Sequence, residues 1–331
     1  MRSMMVYRRY SSRAVQFAAV ACVCAPALAA EAAYPSRPVR FVVANSPGGG
    51  LDITARTIAP RLIASTGQQW IVDNRAGAAG SLAAEITAKS APDGYTVMLG
   101  SIGNVAVNSH LYKGLGYHPV NDLAAVIYAV SGSNVLVVNP SVAAKTVQEL
   151  IALARAQPGK LIYGSSGAGN AGHLAGELFK MMAQVDLVHV PYKGGAPAMI
   201  DLIAGQTQVV FSSAPTAVPQ VKAGKIRALA VTTLKRSLVL PELPTISEAG
   251  LPGYEADNWY GVVVAARTPR AIIDRLNSEF GRILNVPEVK EALLKQGLEV
   301  STGTPDAFSK YIRAEYEKWG KVIRTAGIVA N

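Results

Sequence analysis

Cysteine is nearly absent from this chain of 331 residues. Its two cysteines, Cys22 and Cys24, both fall within the first thirty positions. Beyond residue 29 the chain therefore has no disulfide, no thiolate nucleophile and no zinc–cysteine site. Basic runs and aromatic RNP-like motifs are missing as well, and the lysines and arginines are scattered. The formal net charge of +10 thus gives no ground for a nucleic-acid partner. After the first thirty residues no segment reaches eighteen uninterrupted apolar positions, so no transmembrane helix is expected there. The four histidines, His110, His118, His173 and His189, show no H-E-x-x-H or paired metal spacing, and no G-x-S-x-G elbow occurs. Serine, histidine and aspartate are all present, but sequence order alone does not bring them together. No enzyme activity, metal or cofactor is expected.

The first thirty residues differ in kind from the rest. Arg2, Arg8, Arg9 and Arg13 form a basic region without an acid, residues 14–28 are apolar, and Ala27-Leu28-Ala29 is a small-x-small cleavage signal. This is the pattern of a secretory signal peptide cleaved near Ala29. A membrane anchor, or acylation at Cys22 within Ala19-Val20-Ala21-Cys22, is the alternative reading. Cleavage removes four arginines and no acids, so the net charge falls from +10 to +6. That modest positive charge suits small anions.

Apolar, β-branched runs alternate with helix-period segments along the remainder, the signature of βαβ units and a mainly parallel sheet. Strands are expected at 39–44, 69–73, 95–99, 135–138, 161–163, 187–190, 209–212, 227–232 and 262–265. Helices are expected from Ile53, up to about Lys89, over 147–156 and 173–182, and in two amphipathic C-terminal segments marked by Leu276 and Phe280 and by Phe308, Ile312 and Trp319. The C-terminal helices need a sheet to cover, so the second α/β half reads as an insertion into the first. The expected division is a leader at 1–29, domain 1 at 30–131 plus 255–331, and domain 2 at 132–254.

Three loops that follow a strand could hold an anion, the first two of them leading into a helix. Ser46-Pro47-Gly48-Gly49-Gly50-Leu51-Asp52 combines glycines, which let a ligand approach the backbone, with a helix start that offers free N–H groups. Asp52 there either caps the helix or orients waters and a ligand amine. The stretch from Tyr163 to His173 holds Ser165, Ser166, Gly167 and Asn170. It contains a formal G-x-G-x-x-G at Gly167, Gly169 and Gly172, but Asp186 precedes the next strand rather than ending it, which argues against a dinucleotide site. Tyr192, Lys193 and Gly194 form the third loop, with Tyr192 as a stacking or hydrogen-bonding group and Lys193 as a counter-charge. Ser212 and Ser213 lie in a similar, weaker loop. A buried tyrosine and a plain surface turn explain the third loop equally well.

Taken in order, several motifs resemble the tripartite tricarboxylate transporter receptors, or Bug proteins. They are Tyr34-Pro35-Ser36-Arg37-Pro38, Pro47-Gly48-Gly49-Gly50-Leu51-Asp52, Val72-Asp73-Asn74-Arg75-Ala76-Gly77, Ala91-Pro92-Asp93-Gly94-Tyr95, Val190-Pro191-Tyr192-Lys193-Gly194 and Leu243-Pro244-Thr245. The resemblance spans nearly the whole chain after the leader. It implies a type II periplasmic-binding-protein-like α/β fold, with two domains joined by a hinge and a ligand cleft between them. It also implies an extracytoplasmic receptor that captures a small carboxylate (a di- or tricarboxylate, an acidic amino acid or an aromatic acid) and delivers it to membrane permease subunits. A ligand sensor feeding a two-component system is the alternative, and an exported enzyme a more distant one. The chain is expected to act as a monomer. By the same resemblance Pro47, Gly48, Gly49 and Asp52 seat a ligand carboxylate. The loops at Ser101 and Asn104, Ser165 to Asn170, Tyr192 to Gly194, and Ser212 and Ser213 match the family's pocket loops. One departure is clear: Ala44 and Asn45 stand where the family carries proline and an aromatic residue.

Overall fold

A strand buried on both faces of a sheet needs a mostly apolar run, and Val-Arg-Phe-Val-Val at residues 39–43 supplies the first, its one charge, Arg40, being half-buried and paired with Asp73. The computed structural model describes residues 34–328; the cleavage signal at Ala29, Cys22 and Cys24 lie outside the described residues. The chain runs from β1 (Val39–Val43) through α1 (Gly50–Thr66), β2 (Trp70–Asn74), α2 (Ser81–Ala88) and β3 (Thr96–Ser101). After a π-helical turn over Gly103–Val107 it forms α3 (Asn108–Leu111) and the long β4 (Leu123–Val138). Then come α4 (Val147–Ala156), β5 (Ile162–Ser165), α5 (Ala171–Ala183), β6 (Val188–Pro191) and α6 (Gly195–Ile203). They are followed by β7 (Val209–Ser213), α7 (Ala214–Lys222), β8 (Arg227–Val231) and β9 (Asp257–Ala265). The chain ends in α8 (Arg270–Leu284), α9 (Pro287–Lys295), β10 (Leu298–Val300) and α10 (Pro305–Ala326). Local chemistry fixes several ends. Thr146 caps α4 by accepting from Glu149 N, and Thr304 caps α10 by accepting from Ala307 N, with Pro305 as the first helical residue.

The strands form one sheet in the order β2-β1-β3-β9-β4-β7-β5-β6, with β8 and β10 also paired to β4. This sheet is mixed, which corrects the expectation of a mainly parallel one. The outer pairs β1–β2, β1–β3, β5–β6 and β5–β7 are parallel, as βαβ units require. At the centre, β4 pairs antiparallel with β7, β8, β9 and β10, and β9 pairs antiparallel with β3. The cause is the chain path. β4 leaves the first half of the sheet for the second and β9 brings the chain back, so the two run in opposite directions. The first half of β4 pairs with β9 as far as Ser133, and Asn134 begins its pairing with β7.

Side-chain alternation along the far end of β4 serves two cores at once. Leu136 and Val138 enter a cluster with Tyr163, Phe179 and Phe211, while Val135 and Val137 enter another with Leu202, Val210 and Val218 on the opposite face. At its near end β4 has two bulges against β9, and Val126, Ile127, Ala129 and Val130 are all buried in the first half's own cluster. Helices α8 and α10 cover that cluster, and Phe308 of α10 sits edge-on to both Tyr128 and Trp259. Among the described residues no helix is long and apolar enough to cross a membrane.

Phe308 is 2 % exposed. Phe308→Ala is expected to cost about 3–5 kcal/mol, because the rigid rings around it cannot close the cavity left behind. Urea unfolding followed by near-ultraviolet circular dichroism measures this; a loss below about 1 kcal/mol would mean that α10 is not held to the sheet by this contact.

Candidate functional site

Helix starts leave N–H groups without partners, and four helices of this fold begin at one place. The loops that precede them are built from small residues because their backbones come close together. In the loop after β1, Asp52 is the third residue of α1 and only 3 % exposed. Its Oδ2 accepts from Gly48 N at 2.9 Å and its Oδ1 from Arg56 Nε at 2.9 Å. Asp52 therefore staples the loop from behind. Gly50, the first residue of α1, lies so close to Tyr260 Oη and Ser213 Oγ that a Cβ would overlap both.

The second half of the sheet meets this loop directly. Gly194, which caps α6 at φ 143°, faces the side chains of Asn45 and Ser46, and Ala196 lies against Gly48. That φ is one an L side chain rarely adopts. Further along the same boundary, Tyr112 Oη donates to Ala168 O at 2.8 Å.

Between these contacts lies a small, partly open cavity at the carboxyl ends of β1, β5 and β7, where ligands of α/β proteins collect. Asn45, Leu51 and Ser101 line it from the first half; Ser166, Asn170, Gly195, Phe211, Ser212 and Ser213 line it from the second. Asn134 and Asn258 reach it from the crossing strands, with Tyr260 beside them. Its free space, about 30 Å³ for the centres of water-sized molecules, holds roughly two waters. Among the described residues, no lysine, arginine, histidine, aspartate or glutamate lines it. Positive potential comes instead from the starts of α1, α5, α6 and α7, each equivalent to roughly half a unit charge. Hydroxyl and carboxamide groups complete the lining. Burial raises the Tyr260 phenol above its ordinary value, so it remains a hydrogen-bond donor at neutral pH.

Beneath the β5–α5 loop is a buried pair of histidines. The rings of His173 and His189 stack at 4.2 Å, and His189 also stacks on Tyr163 at 4.7 Å. Gly169 N donates to His173 Nδ1 at 3.0 Å, and Ser165 Oγ lies 2.7 Å from His189 Nε2. Burial pushes His173 down to about 4, with Glu177 opposing the shift and Lys180 adding to it, and pushes His189 down to about 3, where His173 and Lys180 act in the same direction as burial. Both are neutral at ordinary pH. They hold the loop from below and do not line the cavity.

Of the residues singled out in the sequence, Ser101, Ser166, Asn170, Ser212 and Ser213 face the cavity together. Asn104 stands one step back, its Oδ1 accepting from Ser101 N at 3.1 Å. Ser165 is turned to His189, and Gly167, at φ 136°, rests on Ala79 of the first half. Ser46, Pro47, Gly48 and Gly49 are not in the cavity lining, and Pro47 and Gly48 are exposed. Tyr192 Oη donates to Asp201 Oδ2 at 2.6 Å, and Lys193 is exposed on the surface. Sequence reasoning missed Asn134, Asn258 and Tyr260, which lie inside strands. It also missed the starts of α6 and α7 as contributors.

The family model described as the tripartite tricarboxylate transporter family receptor matches residues 54–328. Protein BugT of Bordetella pertussis is 35% identical over 312 residues, covering 94% of this chain and 95% of its own. The R. palustris protein Rpa4515, solved with adipate, is 41% identical, with a TM-score of 0.87 over 89% of this chain and 99% of its own. MatC from Rhodopseudomonas palustris, solved with bound malate, is 29% identical, with a TM-score of 0.83 over 88% of this chain and 100% of its own.

The buried histidines make stability depend on pH. The unfolded His173 takes up its proton below 6.5 and the folded one only near 4, so stability is full above 6.5 and is lost as pH falls through that window. The slope is about 1.4 kcal/mol per pH unit for one histidine. Urea unfolding of the wild type and His173→Asn at pH 7 and pH 5 is expected to show a smaller drop in the variant, by about 2 kcal/mol. Equal drops would show that His173 is not held neutral by the fold.

Proposed function

The chain belongs to the tripartite tricarboxylate transporter receptor family, and from that premise we propose that it captures a small carboxylate in the cleft between its two halves and delivers it to membrane permease subunits. The observation that carries this reading is the convergence of four helix starts, from both halves, on a cavity whose described lining bears no formal charge. Such a site binds an anion through backbone N–H groups and hydroxyls, without a cationic side chain. On this lining of hydroxyls and carboxamides the reading is binding without turnover. The relatives solved with adipate and with malate favour an aliphatic acid with more than one carboxylate.

The proposed domains are 30–131 with 255–331, and 132–254. The exchange of β4 from β9 to β7 at Ser133 and Asn134, and the start of β9 at Asp257, support this division. The hinge lies in these two strands. A cavity with room for about two waters admits a dicarboxylate only when the halves part, so capture begins from a more open form. The leader, cleaved near Ala29, sends the protein to the periplasm, where it acts as a monomer.

Calorimetry with adipate and malate is expected to show saturable binding, with the ligand recovered unchanged by nuclear magnetic resonance. A product peak would make the protein an enzyme. Small-angle scattering should show compaction on ligand addition. Gly194→Val places a branched side chain against Asn45 and Ser46 at a backbone angle that opposes it, and is expected to weaken binding at least tenfold by blocking closure. Lys193→Ala should change affinity less than about twofold. The opposite ranking would move the anion site out of this cleft.

A further inference from the structure

The loop between β5 and α5 brings Ser166 and Asn170 to the cavity, and Ala171 and Gly172 in the first turn of α5 line it too. The backbone here has little shape of its own. Gly167 and Gly169 stand at φ 136° and 96°, and Asn170, the N-cap of α5, makes no cap bond with its side chain. The loop is held from beneath instead, by the stacked rings of His173 and His189. Neither ring lines the cavity.

The hydrogen bonds dictate where each ring carries its proton. A backbone N–H can only donate, so the bond from Gly169 N to His173 Nδ1 requires a bare Nδ1, and the neutral ring is protonated on Nε2. Ser165 Oγ accepts from Gly167 N at 3.2 Å, which directs its own hydrogen to His189 Nε2. His189 is then protonated on Nδ1, the opposite tautomer. Each ring thus presents one bare nitrogen to the loop, and a proton added to either would set an N–H against a donor. The titratable and charged groups around the pair are Glu177 and Lys180 from α5, Tyr163 from β5, and Tyr254 from the chain before β9. Glu177 is the one acid among them, and its Oε1 already accepts from Tyr163 Oη at 2.6 Å and from Lys180 Nζ at 3.0 Å. His173 also sits in the first turn of α5, at the positive end of the helix.

We propose that His173 and His189 are positioning residues for ligand binding: their bare nitrogens hold the β5–α5 loop in the shape that turns Ser166, Asn170 and the start of α5 toward the ligand. The inference rests on the carboxylate reading given above and adds to it the groups that aim one wall of the cleft. It has a consequence for charge. An anion ordinarily draws a proton onto a nearby histidine. Here both rings stay neutral when the anion binds, because each nitrogen that could take the proton is occupied by a donor from the loop.

The test is calorimetry with adipate and malate on the full mature chain at pH 7. The proteins are the wild type, His173→Asn, His173→Leu, His189→Gln and His189→Leu. Asparagine places Oδ1 where His173 has Nδ1, and glutamine can bring Oε1 to the place of His189 Nε2, so both keep an acceptor for the loop; leucine keeps bulk alone. Each leucine variant is expected to bind about tenfold or more weakly than wild type, and each amide variant within about threefold of it. Near-ultraviolet circular dichroism at the assay temperature selects the variants that are folded. Imidazole nitrogen-15 shifts of the wild type give a second readout that needs no leucine variant, with the two amide variants identifying the signals. His173 is expected as the Nε2–H tautomer and His189 as the Nδ1–H tautomer, unchanged when adipate or malate is added. Equal affinities for the leucine and amide variants, or a ring of the pair that becomes cationic or changes tautomer in the complex, overturns the proposal and leaves the carboxylate receptor intact. If wild type binds neither acid, the carboxylate reading falls and this proposal with it.

Discussion

An N–H group at the start of a helix must find an acceptor, and this protein directs four such starts at one small volume. Much of the cleft's architecture follows from that constraint. The starts of α1, α5, α6 and α7 can approach one another only if the residues around them are small, so glycine, alanine and serine occupy the contacts. The potential they create is positive without a cation, so no buried acid is needed nearby to balance one. Asp52 confirms the economy of charge: it is buried, but spent on Gly48 N and Arg56 behind the loop.

The two crossing strands make the cleft a property of the sheet itself. Because β4 contributes to all three apolar clusters, the halves are separate in their cores yet joined by continuous hydrogen-bonded backbone. A bend in such strands moves the helix starts of one half relative to those of the other without unpacking either core. Asn134, Asn258 and Tyr260 sit on these strands and line the cavity, so the strands that join the halves also supply part of its wall.

Much of this was legible in the sequence where local chemistry decides the outcome. Residues 147–156 read as a helix and form one, because the Thr146 cap and the apolar stripe agree. The first half of β4 was not read as a strand: its bulges bury adjacent pairs of residues and spoil the period of two. Helices α6 and α7 were missed because Pro197, Pro215 and Pro219 fall within or near their first turns and mimic a loop. Strand direction has no local signature, which is why the antiparallel centre went unseen. In the cleft, Ser101, Ser166, Asn170, Ser212 and Ser213 were found through their place between strand and helix. Asn134 and Asn258 were not, since a polar residue inside a strand looks like an ordinary outward-facing position until the sheet is assembled. Lys193, singled out for its charge, is exposed and does not line this cavity.

A cleft lined by uncharged groups also shapes how such a receptor changes over generations. Where a buried guanidinium grips the ligand, any shift of preference must first find a new partner for that ion, and the intermediates are unstable. Here the helix starts offer main-chain N–H groups, which substitution does not remove. Positions such as Asn45, Ala198 and Phe211 can trade size and polarity one at a time without stranding a charge. One scaffold can therefore drift among acids of different length and shape by single, individually tolerable steps.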